Sequence, residues 1–202
     1  RIEKMNQEEL KKIKKEALSE HIPIIMDETL NTIQEIIGDK KLEKILEIGT
    51  AVGYSTICYT QFLTENGKID TIEIDHERVQ KANENIKKAE VDKKITILEG
   101  DALEVLPKLN EKYDMIFIDA SKGKYPRFLE HAIRLSKVGT IILADNILYK
   151  GYVMGDYNKH KQRTAVRNLR EYIKLITENP KLKTEILEVG DGLAVTRVRC
   201  ER

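Results

Sequence analysis

Tryptophan is absent from this sequence and phenylalanine occurs only three times, so the chain has little material for an apolar pocket walled by large aromatic rings. Cysteine occurs twice, as Cys58 and Cys200. They lie far apart and without metal-ligand spacing, which argues against a disulfide framework or a zinc site and predicts a reducing, cytoplasmic setting. Neither sign of charge is in excess, with Lys+Arg 35 against Asp+Glu 34. Bulk electrostatics therefore imply no polyanionic partner, and any affinity for nucleic acid has to come from a local patch. No apolar run approaches the roughly 20 residues that cross a bilayer, and the opening RIEKMNQEELKKIKKEALSE lacks the apolar core of a signal peptide, so a soluble protein with no membrane partner is expected. Repeats, low-complexity tracts and Pro/Gly-rich linkers are missing as well. The 202 residues read as one domain, 1–202, with N-terminal helices over 1–40 and a core over 41–202.

What is present is an alternation. Charged, helix-prone segments occupy about 6–20 and 27–38, and short apolar runs follow at 44–48 (KILEI), 68–74 (KIDTIEI), 94–100 (KITILEG), 113–119 (YDMIFID) and 139–145 (GTIILAD). Helical patterns lie between them near 54–64, 76–89, 101–108 and 124–136. Apolar runs without strict alternation, separated by helices, predict a parallel sheet covered on both faces. After a long helix near 160–178 come KTEILEV and GLAVTRVR, joined through Gly190-Asp191-Gly192, a hairpin signal. The expected fold is α/β, a doubly wound sheet, mostly parallel, with an antiparallel last strand and helices on both faces.

In such sheets ligands sit beyond the carboxyl ends of the strands. The first strand runs into LEIGTAVGYST, where Gly49 and Gly53 let the backbone approach a ligand. The dinucleotide fingerprint GxGxxG is absent. In its place stands ExGxxxGxS with Glu47 ahead of the first glycine, and a carboxylate there repels pyrophosphate but suits an ammonium. That favours a nucleoside bearing an amino acid over a dinucleotide. Glu73, about twenty residues after the turn, stands where an acid bonds ribose hydroxyls. Asp101, after Gly100, reads equally as a helix cap and as an adenine contact. Asp119 and the pair Asp145-Asn146 are hard oxygen donors at the ends of neighbouring strands and form a candidate Mg²⁺ set, with other divalent cations open. Lys122, three residues past Asp119, is a candidate general base, because a nearby dication disfavours its ammonium.

These residues resemble the divalent-metal-dependent, S-adenosylmethionine-dependent O-methyltransferases of class I, the group of the catechol and caffeoyl-CoA enzymes. The likeness runs from IPIIMDETL through LEIGTAVGYST, IEID, EGDA, FIDASKGKY and ADNILYKGYV to GDGLAVTRV, and is most specific in the combined spacing of FIDASKGKY and ADN. It implies a Rossmann-like methyltransferase sheet and a homodimer. It assigns S-adenosylmethionine to Glu47, Gly49, Tyr54, Ser55, Glu73, Gly100, Asp101, Ala102 and Asp119, the metal to Asp119, Asp145 and Asn146, and the base to Lys122. The implied chemistry is methylation of a hydroxyl that the cation has acidified, on an acceptor with two adjacent oxygens.

Within that family ADNILYKGYV and the segment after it look most similar to bacterial enzymes that methylate 5-hydroxyuridine at the tRNA wobble position to 5-methoxyuridine. KHKQRTAVRNLREYIK, 159–174, has six Lys/Arg against one Glu and follows the Asp145-Asn146 strand end, so it could flank the mouth of a site and meet phosphates. Lys150, Tyr152 and Tyr157 stand beside it, and a tyrosine could stack on a displaced base. A hydroxylated small molecule of the catechol type is the alternative acceptor, lowered by the scarcity of aromatics. A dehydrogenase would leave the metal set unexplained, and a noncatalytic RNA-binding module would have no use for Asp119, Lys122, Asp145 and Asn146 together.

Overall fold

The computed structural model describes residues 7–155 and 162–199, and the chain divides into two compact units, Arg1–Val105 and Leu106–Arg202. In the first unit the helices α1 (Gln7–Ser19) and α2 (Asp27–Ile37) precede the strand β1 (Leu42–Ile48), the helix α3 (Tyr54–Tyr59), β2 (Leu63–Glu73), α4 (His76–Lys88), β3 (Ile95–Glu99) and the single turn α5 (Ala102–Val105). The strands lie in the order β3-β2-β1, all parallel, with Ile45 opposite Ile69 and Ile69 opposite Ile95. Leu30, Ile33 and Ile37 recur at helical spacing and form the buried stripe of α2. Asp75 caps α4 by accepting from the Arg78 N–H at 3.0 Å.

The helix expected over 54–64 stops early. α3 ends at Tyr59, a tight turn covers Thr60–Phe62, and β2 begins at Leu63. Leu63 pairs with Leu42 and Lys68 with Lys44, so the intervening TENG bulges out of the ladder. Gly67 is required in that bulge, because a Cβ there would stand 2.8 Å from the Leu42 carbonyl oxygen. The pattern over 101–108 likewise yields only α5 and a further tight turn over Leu106–Lys108, since Pro107 has no N–H to continue an α-helix.

The second unit holds β4 (Tyr113–Ile118), α6 (Tyr125–Arg134), β5 (Ser136–Ala144), α7 (Arg163–Glu178), β6 (Leu182–Leu187) and β7 (Leu193–Val198). Its strand order is β4-β5-β7-β6. β4 and β5 are parallel, and β7 is antiparallel to both of its neighbours, as the closing hairpin signal predicts. β5 starts at Ser136, opposite Tyr113, and not at 139, which shortens the helix expected over 124–136. Met115, Ile116, Phe117, Ile142 and Leu143 are buried, as strands covered on both faces require. Among the described residues no helix is long and apolar enough to cross a membrane.

Candidate active site

The glycine turn after β1 is built on left-handed backbone. Gly49, Ala51 and Gly53 have φ of 107°, 48° and 82°, and the N–H groups of Gly49 and Thr50 both donate to the Ile72 carbonyl, at 3.0 and 3.1 Å. Ala51 is the strained member, since its Cβ disfavours that region. Glu73 holds it there. One carboxylate oxygen accepts from the Ala51 N–H at 2.8 Å and the other from the N–H groups of Ile74 and Asp75, both at 3.0 Å. A carboxylate has about four lone-pair sites, so Glu73 can take a ribose hydroxyl as well as hold the turn. The holding role escaped the sequence reading, because it depends on β2 lying beside β1. Asn85, in the middle of α4, is a second residue it missed: its amide donates to the Val52 carbonyl at 2.8 Å, and nothing in its sequence context marks it.

Glu47 is fully buried. It accepts from the hydroxyls of Ser55 at 2.6 Å and Thr71 at 2.7 Å, and from Thr56, and the Thr71 hydroxyl also pairs with that of Thr50 at 2.7 Å. The structure thus brings Glu47 and Ser55 together, with the carboxylate turned to an internal cluster of hydroxyls. Tyr54 opens α3 and is buried, which raises its phenol above the ordinary range. Burial likewise pushes the neighbouring Cys58 thiol up to about 12, which leaves it inert. Gly100, at φ 148°, donates to the Glu73 carbonyl at 2.8 Å. Asp101 accepts from the Leu103 N–H at 2.9 Å, the capping alternative, and Ala102 is the first residue of α5.

In the second unit Asp119 follows β4 and Asp145 follows β5. The Asp145 N–H donates to the Ile118 carbonyl at 3.0 Å, which sets the two strand ends side by side. Asn146 then adopts φ 57°, a left-handed conformation that asparagine tolerates. Its side-chain amide donates to Asp119 Oδ1 at 2.9 Å, while its backbone N–H donates to Asp145 Oδ1 at 2.8 Å. The predicted set is therefore one hydrogen-bonded cluster. Burial raises Asp119 against the pull of Lys122 and the Asn146 hydrogen bond. Asp145, 5% exposed, is pushed up to about 7 by burial and then by the Asp119 carboxylate.

Lys122 starts a tight turn over Lys122–Lys124. Its ammonium lies 5.4 Å from the centroid of the Tyr149 ring, within cation–π range, and it attracts both carboxylates. Tyr149 is itself left-handed, at φ 46°, and meets Tyr152 edge-on at 5.7 Å. Lys150 and Tyr152 are described, whereas Tyr157, Lys159 and Lys161 lie outside the described residues.

The donor set fits a divalent cation. The buried Asp145 and half-buried Asp119 carboxylates disfavour each other's ionisation and would be stabilised by a cation that both contact, and the Asn146 amide nitrogen, already donated to Asp119, leaves the carbonyl oxygen as its remaining donor. Hard oxygen donors of this kind suit Mg²⁺. Among the described residues no three His, Cys, Asp or Glu side chains are grouped to hold a metal, so the third protein donor here is the amide.

Comparison with known proteins identifies the family. The profile of a family described as O-methyltransferase matches residues 2–199. The chain is 36% identical over 166 residues to a catechol O-methyltransferase of Niastella koreensis, covering 78% of this chain and 74% of that one. It is 36% identical over 162 residues to the caffeoyl-CoA O-methyltransferase of Medicago sativa, covering 75% and 65%. Among solved structures, the O-methyltransferase of Bacillus cereus in complex with SAH superposes with a TM-score of 0.84 at 27% identity, over 98% of this chain and 94% of that one. The fold is a Rossmann-like methyltransferase fold.

Proposed function

This chain belongs to the O-methyltransferase family and is an S-adenosylmethionine-dependent enzyme; from that premise we propose that it methylates a hydroxyl with a second oxygen beside it, on an acceptor held by Asp119, Asp145 and Asn146 through a divalent cation, in the first instance Mg²⁺. The observation that carries this reading is the hydrogen-bonded cluster of those three side chains, whose two carboxylates are attracted by Lys122. When bound, the cation supplies Lewis acidity that makes the acceptor hydroxyl easier to ionise, and S-adenosylmethionine supplies a methyl group on a sulfonium centre. Lys122 Nζ, as the neutral amine, would take the hydroxyl proton and become an ammonium. The face of Tyr149 keeps that nitrogen from wandering, and Asn146 holds Asp119 in place.

On the cofactor side the groups that act are Glu73, at the ribose, and the left-handed turn that it braces. Glu73→Ala is expected to weaken S-adenosylmethionine binding about 10- to 100-fold, because a charged acceptor worth about 1.5 to 3 kcal/mol is lost and the Ala51 N–H loses its partner. Isothermal calorimetry checks this, and an unchanged affinity removes Glu73 from the cofactor site.

For the acceptor, the proposal is 5-hydroxyuridine at the tRNA wobble position, whose O5 and O4 are neighbours and can share one cation. Support comes from α7. Its buried face is Val166, Leu169, Tyr172 and Ile176, while Arg163, Arg167, Arg170 and Lys174 stand at i, i+4, i+7 and i+11 and share another face. Arg170 bonds the carbonyls of Val153 and Gly155, at 3.1 and 2.7 Å, and the exposed Arg167 and Lys150, with Lys174, are the cations proposed to meet phosphates. The named relatives favour a second reading, a small catechol-type acceptor.

The two readings separate in one pair of assays. The triple variant Lys150→Ala, Arg167→Ala, Lys174→Ala should bind tRNA more weakly and with a flatter salt dependence, by about 0.7 to 0.9 in log–log slope for each phosphate no longer neutralised, while turnover of a catechol or of free 5-hydroxyuridine changes little. Undiminished tRNA binding, or robust catechol turnover with no tRNA methylation, would put the small-molecule reading first.

A further inference from the structure

We propose that Tyr125 is a positioning residue of the candidate site, whose single phenol oxygen bridges the two strand ends that carry Asp119 and Asp145. The inference rests on reading those carboxylates as cation ligands. Tyr125 is the first residue of α6, three residues after Lys122, and is completely buried. Its hydroxyl donates to the Asp145 carbonyl oxygen at 2.9 Å, with the Ile118 carbonyl oxygen a second, longer acceptor at 3.3 Å. Ile118 immediately precedes Asp119. One oxygen atom therefore touches the backbone next to the first carboxylate and at the second.

This clamp acts where the sheet stops holding the strands. The last ladder pair of β4 and β5 is Ile118 with Ala144, and one further backbone bond runs from the Asp145 N–H to the Ile118 carbonyl. Asn146 then turns left-handed, and the chain leaves the ladder. The Asp145 carbonyl thus meets the phenol where a continuing strand would have offered an N–H. A buried tyrosine is ordinarily a core ring, and the ring of Tyr125 is indeed packed, 6.3 Å from Phe128 and 5.6 Å from Tyr172 between centroids. A core role, however, needs only the ring. Tyr172 demonstrates this in the same cluster, since it is equally buried and its hydroxyl has no hydrogen-bond partner among the described residues. The pair thus contains its own control.

The test compares Tyr125→Phe, Tyr172→Phe and Asp145→Ala in the full chain, with Mn²⁺ affinity read by electron paramagnetic resonance of the unbound ion, S-adenosylmethionine affinity by calorimetry, and kcat and KM for the acceptor. Tyr125→Phe should lose about 10- to 100-fold in Mn²⁺ affinity, the usual effect of removing a group that orients a metal ligand, and lose kcat in similar proportion. Its S-adenosylmethionine affinity and acceptor KM should stay within about twofold. Tyr172→Phe should match the unaltered protein throughout. Placing 4-aminophenylalanine at 125 restores a donor on the same ring and should recover most of the Mn²⁺ affinity; it carries the test if the phenylalanine variant does not fold. Unaltered Mn²⁺ affinity and kcat in Tyr125→Phe, equal losses in both phenylalanine variants, or no recovery with the amino analogue would each overturn the inference. Asp145→Ala separates the two levels. Loss of Mn²⁺ binding there, with Tyr125→Phe unaffected, rejects the clamp and keeps the cation site, whereas full Mn²⁺ binding by Asp145→Ala rejects both.

Discussion

Asp145→Ala should lose methyl transfer by roughly a thousandfold or more while binding S-adenosylmethionine as tightly as the unaltered chain. The magnitude follows from what a bound cation contributes to an acyl or alkyl transfer through charge stabilisation, several kcal/mol, with about 1.4 kcal/mol for each tenfold in rate. The selectivity follows from the residues. The groups assigned to the cofactor's ribose and to the glycine turn are Glu73 and Gly49 to Gly53, and Asp145 is assigned to neither. Thermal unfolding without added cation should not fall much, since the substitution removes a buried carboxylate whose charge is costly there. Its hydrogen bond from the Asn146 N–H at 2.8 Å is the part that is lost. Chelation with EDTA should reproduce the defect in the unaltered enzyme, and Mg²⁺ should reverse it. Full activity in a chelated sample would sink the metal reading, and with it the assignment of Asp119 and Asn146.

The second large effect is expected at Lys122. Lys122→Met should lower kcat by about 10²- to 10⁴-fold, the range for a general base in position, with Mn²⁺ and S-adenosylmethionine affinities retained. Lys122→Arg distinguishes proton transfer from simple attraction. An arginine keeps a positive charge near Asp119 and over the Tyr149 ring, but its guanidinium does not give up a proton in proteins, so it should be as slow as the methionine variant. Rapid turnover by the arginine variant would mean that Lys122 serves as a charge and the proton leaves by another route. Solvent isotope effects on kcat would then be the measurement to follow.

The spacing of FIDASKGKY and ADN was enough to group Asp119, Asp145 and Asn146, because residues just past neighbouring parallel strands are delivered to the same end of the sheet whatever the details of packing. The hairpin at Gly190-Asp191-Gly192 was legible for a similar reason, since a turn of that kind is a local event. Boundaries were less legible. α3 ends at Tyr59, where the pattern ran to 64, because Leu63 finds its partner in Leu42, and no local pattern carries that pairing.

The sequence by itself determined the order of strands and helices, the glycine turn with its acidic neighbours, and the donor set of two carboxylates and an amide, because period, turn chemistry and residue type act over a few neighbours at a time. Only the tertiary structure decided what those acids do. Register across the sheet sets Thr71 against Glu47, and α3 adds Ser55 and Thr56, so that the carboxylate binds three hydroxyls inside the protein. It brings Glu73 to the amide of Ala51, 22 residues away in sequence, and it seats the Tyr125 hydroxyl between the carbonyls of Ile118 and Asp145. A hydrogen bond requires two groups within about 3 Å, and for residues far apart in the chain that proximity is a property of the folded sheet.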